Sequence, residues 1–273
     1  MGPIGVFDSG YGGLTVLSEL LKKFHEYDFI YLGDNARSPY GGRSFDIVYK
    51  YSLEAVEVLF SKGCNLVIFA CNTASAKALR SIQQKNLPLI DPNRRVLGVI
   101  RPLVEVLDNY TKTRTVGVLG TVGTVTSNSY PLEIHKLFPD IKTVQEACPM
   151  WVPLVENNEY FSEGADYFVK KNIYNLFERE PNIDTLILGC THYPLLLPVI
   201  KKFVPSTVKI LTQGEIVAKS LADYLSRHPE MDIKCSKTGN HRFYTTENPE
   251  KFSQSASMFL GRGVEAEYLM LNS

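Results

Sequence analysis

Hydrophobic positions recur along this chain in two forms. Short apolar runs occupy residues 2–7, 29–33, 66–70, 96–100, 115–119, 184–189 and 208–212, together with 142–146 and 242–246. Val, Ile, Leu and Phe dominate most of these runs, as in strands buried on both faces. Between them lie stretches with helical spacing, at residues 16–24, 44–62, 74–80, 102–109, 129–137, 165–179, 195–203, 214–228 and 249–260. In the stretch 44–62, Ile47, Tyr51, Val56, Leu59 and Phe60 read as a core-facing stripe. Strand and helix alternate throughout, which predicts an α/β fold with mainly parallel sheets. The run Asp91-Pro92-Asn93-Arg94-Arg95 reads as an internal boundary, and a second crossing near Ser206 returns the chain to its first half. The predicted units are residues 1–94 with 207–273, and residues 95–206.

Two runs end alike. Leu66-Val67-Ile68-Phe69-Ala70 leads into Cys71-Asn72-Thr73-Ala74-Ser75, and Thr185-Leu186-Ile187-Leu188-Gly189 leads into Cys190-Thr191-His192-Tyr193-Pro194. Each puts a cysteine at a strand's carboxyl end, ahead of a helix. Open α/β sheets bind ligands there, and a thiol there can be activated. The repetition predicts two similar halves that each bring a thiol to a shared site. Asp8 also ends a strand, ahead of the glycine-rich Ser9-Gly10-Tyr11-Gly12-Gly13. Such a loop can present backbone N–H groups to an anion. It lacks both the Gly-Lys-Ser/Thr of a phosphate loop and the spacing of a dinucleotide fingerprint. A small carboxylate remains a fitting ligand, and a tight turn with positive φ is the plain alternative.

Composition narrows the partners. The chain has 273 residues, 44% of them hydrophobic and 21% charged, with 29 basic against 29 acidic side chains. A balanced charge argues against nucleic acid or a membrane surface as partner, and no apolar run approaches a membrane span. The N-terminus enters a strand-like segment at once, so no signal peptide is expected. Five widely spaced cysteines suit a reduced cytoplasm better than a disulfide framework.

Taken in order, Phe7-Asp8-Ser9-Gly10-x-Gly12-Gly13-Leu14-Thr15-Val16, Gly33-Asp34 with Pro39-Tyr40-Gly41, the two cysteine motifs, Gly120-Thr121-x-Gly123-Thr124, Pro153-Leu154-Val155-Glu156 and Thr238-Gly239 resemble the glutamate racemases of the aspartate/glutamate racemase family. The resemblance covers essentially the whole chain. It departs at Asn240, where an acid is expected. It implies two α/β domains facing each other across the site, the second inserted into the first. It also implies a homodimer, no cofactor, and a role supplying D-glutamate for peptidoglycan. The catalytic cysteines of the family carry over onto Cys71 and Cys190. Its substrate contacts carry over onto Asp8, Ser9, Tyr40, Gly41, Asn72, Thr73, Thr121, Thr124, Thr191 and His192.

The chemistry explains that pattern. Racemisation removes an α-proton and returns one on the opposite face, which is simplest with one base per face. A free thiol, with a pKa of about 8.5, is only slightly ionised at neutral pH, so each cysteine needs a proton acceptor or orienter. Asp8 is assigned to Cys71 and His192 to Cys190. Asn72, Thr73, Thr191 and backbone N–H groups suit the carboxylate on which carbanion charge builds. Cys64, Cys148 and Cys235 read as packing residues, and His25, His135, His228 and His241 as surface ones. Glu156 and Asp34 read equally well as solvated or capping acids and as neighbours of the site. Four other readings compete: an aspartate racemase, a Cys-His hydrolase, a metal site of Asp8, Cys71, Cys190 and His192, and a non-catalytic amino-acid-binding module.

Overall fold

The computed structural model describes residues 1–271. In chain order the strands are β1 (Ile4–Asp8), β2 (Phe29–Gly33), β3 (Leu66–Phe69), β4 (Arg95–Gly98), β5 (Thr115–Gly120), β6 (Lys142–Ala147), β7 (Thr185–Gly189), β8 (Lys209–Leu211), β9 (His241–Thr245) and β10 (Ala266–Tyr268). They form one sheet in the order β10-β9-β2-β1-β3-β4 and a second in the order β6-β5-β7-β8. Every pairing between these strands is parallel, as the strand–helix alternation predicts. The inner strands β1, β2, β3, β5 and β7 are buried along their whole length, while β4, β6, β8 and β10 at the edges are partly exposed. The strongest apolar runs are therefore the sheet centres.

Sheet membership moves the predicted crossings. β4 pairs with β3 in the first sheet, and β8 pairs with β7 in the second. The chain thus leaves the first sheet after Gly98 and the second after Leu211, not at residues 94 and 206. The Pro-Asn-Arg run is the turn into β4, not a link between units. β10 has no counterpart in the predicted series, because it is three residues long with no apolar run. The helix expected over 74–80 instead spans Asn72–Lys77 and breaks at Ala78. Ile47 points outward at 36% exposure, so the stripe on helix Phe45–Ser61 is narrower than its spacing implied.

The core is shared between the sheets. One apolar cluster runs from Ile4 and Val6 of β1, through Leu17 and Leu20 of helix Leu14–Lys23 and Val217 and Leu221 of helix Gln213–Arg227, to Val116, Val118 and Ile187 of β5 and β7. The two sheets are packed through these helices and are not joined by chain connectivity alone. No helix among the described residues is long and apolar enough to cross a membrane.

The return of the chain to the first sheet is held by a carboxylate. Asp28 Oδ1 accepts from Thr238 N at 2.9 Å, Thr238 Oγ1 at 2.8 Å and Asn240 N at 2.9 Å. These bonds set β9 beside β2, with Phe29 opposite His241. Burial works against the charge, but the hydrogen bonds prevail and pull the Asp28 carboxyl down to about 2. A depressed carboxylate stabilises the fold above its unfolded pKa and loses that contribution as pH falls through the folded value. Asp28→Asn is therefore expected to cost about 1–2 kcal/mol at pH 7. Denaturant unfolding should show the gap from wild type closing between about pH 4 and pH 2.

Candidate active site

Parallel pairing puts the carboxyl ends of neighbouring strands at one edge. In the first sheet Asp8 is level with Gly33, and Phe7 with Phe69, so Asp8, Asp34 and Cys71 all lie at or just beyond the strand ends. In the second sheet Gly120 is level with Gly189, which puts Thr121 and Cys190 side by side as the next residues. The two edges meet at a cavity of about 240 Å³. Ser9, Tyr40, Gly41, Cys71, Asn72 and Thr73 line it from the first sheet, and Thr121, Cys190, Thr191 and His192 from the second.

Asp8 and Thr124 are not on the cavity wall. Asp8 is fully buried, and its Oδ2 accepts from Gly10 N at 2.9 Å while its Oδ1 has no partner. The Thr124 hydroxyl sits 3.1 Å from that of Thr121 and 3.5 Å from that of Thr73. Thr73 and Thr121 meet hydroxyl to hydroxyl at 3.0 Å, tying one sheet's loop to the other's. Gly123 N also donates to Gly41 O at 2.6 Å, and Thr15 Oγ1 to Thr191 O at 3.1 Å.

The glycine-rich loop works by close approach and not by an unusual turn. Gly10, Gly12 and Gly13 are absent from the positive-φ glycines, which are Gly63, Gly239 and Gly261. A Cβ on Gly12 would stand 2.4 Å from Thr191 Oγ1 and 2.5 Å from His192 Nδ1. One on Gly13 would stand 2.6 Å from Asp8 Cβ. Only a bare backbone lets the second sheet's Cys190–His192 loop close on the first.

The two thiols have different surroundings. Cys71 caps helix Asn72–Lys77, its Sγ accepting from Ala74 N at 3.4 Å and lying 3.5 Å from Ser9 Oγ. Burial, then the Asp8 charge, push this thiol up to about 12. Burial also raises the Asp8 carboxyl, against the opposing pull of His192, so Asp8 takes a proton more readily than an ordinary aspartate. Cys190 Sγ is 3.8 Å from His192 Nδ1, and His192 Nε2 is 3.2 Å from Glu156 Oε1. Burial lowers the affinity of His192 for a proton, but the bonds to Cys190 and Glu156 outweigh it and push the imidazole up to about 10.

Several residues here were left open by the motif-based reading or escaped it. Glu156 reaches the site through His192. Asp34 accepts from Tyr40 Oη at 2.5 Å, Arg37 Nε at 2.7 Å and Thr246 Oγ1 at 2.9 Å, and so holds Tyr40 in the wall. Cys148, read as a packing residue, lines the cavity, and burial pushes its thiol well above the ordinary range. Pro149, Val152 and Pro153 complete an apolar side of the wall that no polar motif signals. Asn72 Oδ1 accepts from Tyr130 Oη at 2.7 Å and from Gln213 Nε2 at 3.4 Å, neither of which lies in a recognisable motif. Among the described residues, no three His, Cys, Asp or Glu side chains converge so as to hold a metal ion.

Known proteins resemble this chain in sequence and fold. Residues 16–220 match the family model for Asp/Glu/Hydantoin racemase. A glutamate racemase of Geobacter metallireducens is 40% identical over 259 residues, covering 94% of this chain and 92% of the relative. A solved glutamate racemase isoform from Bacillus anthracis superposes with a TM-score of 0.90 at 37% identity, over 99% of this chain and 98% of that one. One from Francisella tularensis, solved in complex with D-glutamate, superposes with a TM-score of 0.87 at 33% identity, over 99% and 98%. On the parallel two-sheet fold, the paired cysteine loops and these relatives, the chain belongs to the Asp/Glu/Hydantoin racemase family and is an amino-acid racemase.

Proposed function

We propose that this chain interconverts L- and D-glutamate by passing the α-proton between substrate and the thiols Cys71 and Cys190, without a cofactor. One observation carries the reading: two cysteines from the carboxyl ends of β3 and β7, in different sheets, line the same cavity of about 240 Å³. The Geobacter and Francisella relatives, both glutamate racemases, support glutamate as the substrate.

The reaction begins with one cysteine as thiolate and the other as thiol. In contact with Cys190, His192 holds that thiol's proton as an imidazolium while Cys190 is the thiolate, and Asp8, whose charge acts on Cys71 without a hydrogen bond to it, is assigned the same task there. The thiolate removes the α-proton on its face of the substrate. The opposite thiol then delivers its own proton to the other face, leaving the enzyme in the complementary protonation state. Between these steps, negative charge spreads from Cα into the carboxylate, where Asn72, Thr73, Thr191 and helix-terminal N–H groups act as donors. The apolar wall of Pro149, Val152 and Pro153 keeps water sparse, which strengthens a thiolate as base. In this reading the two sheets are two domains, the one carrying β5–β8 inserted into the other. The enzyme works in the cytoplasm as a homodimer and supplies D-glutamate to peptidoglycan.

Circular dichroism of L-glutamate, D-glutamate and D-aspartate, with cofactor-free enzyme in D2O, tests the proposal. Both glutamate enantiomers should lose optical signal, with deuterium entering the inverted product. Loss from aspartate alone would keep the mechanism and change the substrate. No exchange at all would sink the reading. Cys71→Ser and Cys190→Ser should each lower racemisation by about 10²- to 10⁴-fold while the unfolding midpoint stays near wild type.

The pH profile tests the Cys190 side separately. His192 holds its proton until pH rises through about 10, so the alkaline limb of kcat/KM should fall there. Glu156→Gln removes a group that favours the imidazolium. The limb should move to lower pH, with kcat/KM at pH 9 reduced about tenfold. An unmoved limb would remove Glu156 from the reaction.

A further inference from the structure

Asn72 is almost fully buried beside the cavity, and its Nδ2 has no partner within the protein. Its Oδ1 is fully used, accepting from Tyr130 Oη at 2.7 Å and from Gln213 Nε2 at 3.4 Å. An amide of this kind could in principle sit either way round, with its oxygen or its NH2 toward the ligand. The neighbouring backbone removes the choice. Gln213 Nε2 also donates to the carbonyl oxygen of Leu188 in β7, and a carbonyl can only accept. Reversing the Gln213 amide would set two acceptors against each other, so its NH2 must face Leu188. The same nitrogen then presents its second hydrogen to Asn72, which obliges Asn72 to turn its oxygen inward. Tyr130 adds a second donor to that oxygen, and burial raises its phenol so that it keeps its hydrogen.

We infer that Tyr130 and Gln213 are positioning residues that lock the Asn72 amide with its NH2 toward the cavity, where it donates to the substrate's carboxylate. This rests on the glutamate reading above. The lock also spans the two sheets. Asn72 follows β3 of the first, Leu188 belongs to β7 of the second, and Tyr130 and Gln213 begin or follow elements adjoining the second. The donor is therefore aimed only while the sheets hold this arrangement. Neither residue lines the cavity.

A double-mutant cycle tests the inference. Wild type is compared with Tyr130→Phe, Gln213→Met and Asn72→Ala, and with the first two placed in the Asn72→Ala background. The readouts are kcat/KM for glutamate racemisation, equilibrium binding of D-glutamate by calorimetry, and thermal unfolding. Each single change should weaken kcat/KM about ten- to a hundredfold, the size expected when a hydrogen bond to a charged group is lost. In the Asn72→Ala background, neither Tyr130→Phe nor Gln213→Met should cause further loss. Binding carries the cycle if Asn72→Ala turns over too slowly. Losses that multiply in that background would overturn the inference, because a general loosening of the site acts whether or not Asn72 is present. Wild-type values in both single variants would overturn it too. If Gln213→Met fails to fold, Tyr130→Phe, which deletes one oxygen, decides alone. Failure of the wild type itself to bind or racemise glutamate is a separate result, visible before any substitution, and would bring down the functional reading and this inference together.

Discussion

Burial of ionisable groups at the carboxyl ends of parallel strands is the constraint on which the site depends. Asp8, Cys71, Cys190 and His192 are each at most 6% exposed. Out of water, a charge is tolerated only beside a partner or a ring of donors, and the proton affinity of each group is set by its neighbours. Parallel pairing makes the arrangement possible. It collects the ends of β1, β2 and β3 at one edge and those of β5 and β7 at another, and the shared core of helices 14–23 and 213–227 brings those edges together. The bare backbone at Gly12 then allows the final approach of Thr191 and His192.

Burial also explains why the two halves are alike in plan and unlike in chemistry. Cys71 has a helix N-terminus and a serine hydroxyl in its favour, yet burial and the Asp8 carboxylate outweigh both and leave it a reluctant acid. Cys190 has instead an imidazole that Glu156 helps to keep protonated. The two protonation states of such a pair are unequal in energy. In the proposed two-thiol reaction the enantiomers in free solution are equal, so the overall equilibrium is unaffected, but the enzyme released after each direction of turnover is a different species. On that proposal, proton exchange through Asp8 or His192 restores the starting form. The flanking acid and imidazole therefore bear on recycling as well as on the proton transfer itself.

Much of this was legible in the chain. The central strands announce themselves because burial on both faces demands continuous apolar runs, and the cysteine loops because each interrupts such a run abruptly. The edge strands were less legible. β10 is three residues long and mostly exposed, so it leaves no periodic trace, while the runs at β4 and β8 read as strands without showing which sheet each would join. Ile47 fits the helical stripe by spacing but lies at its margin, where the core has already ended. Within the site, residues adjacent in sequence to a thiol were readable. Glu156, Tyr130 and Gln213 each meet a site residue 36 to 141 positions away, and sequence spacing carries no record of such a contact.

That distance is also what couples the site to the fold. A donor fixed by its own helix would keep its orientation however the two sheets moved. Asn72 is not fixed in that way, since the groups holding its oxygen come from Tyr130 and Gln213, and Gln213 in turn is oriented by a backbone carbonyl of β7. The Thr73–Thr121 hydroxyl contact crosses the same gap, as does the bond from Gly123 to Gly41. Side chains from the first sheet are thus aimed by atoms of the second. On the proposed reaction, this arrangement puts donor, base and dry wall together, so that the α-proton is removed where the resulting charge is also stabilised.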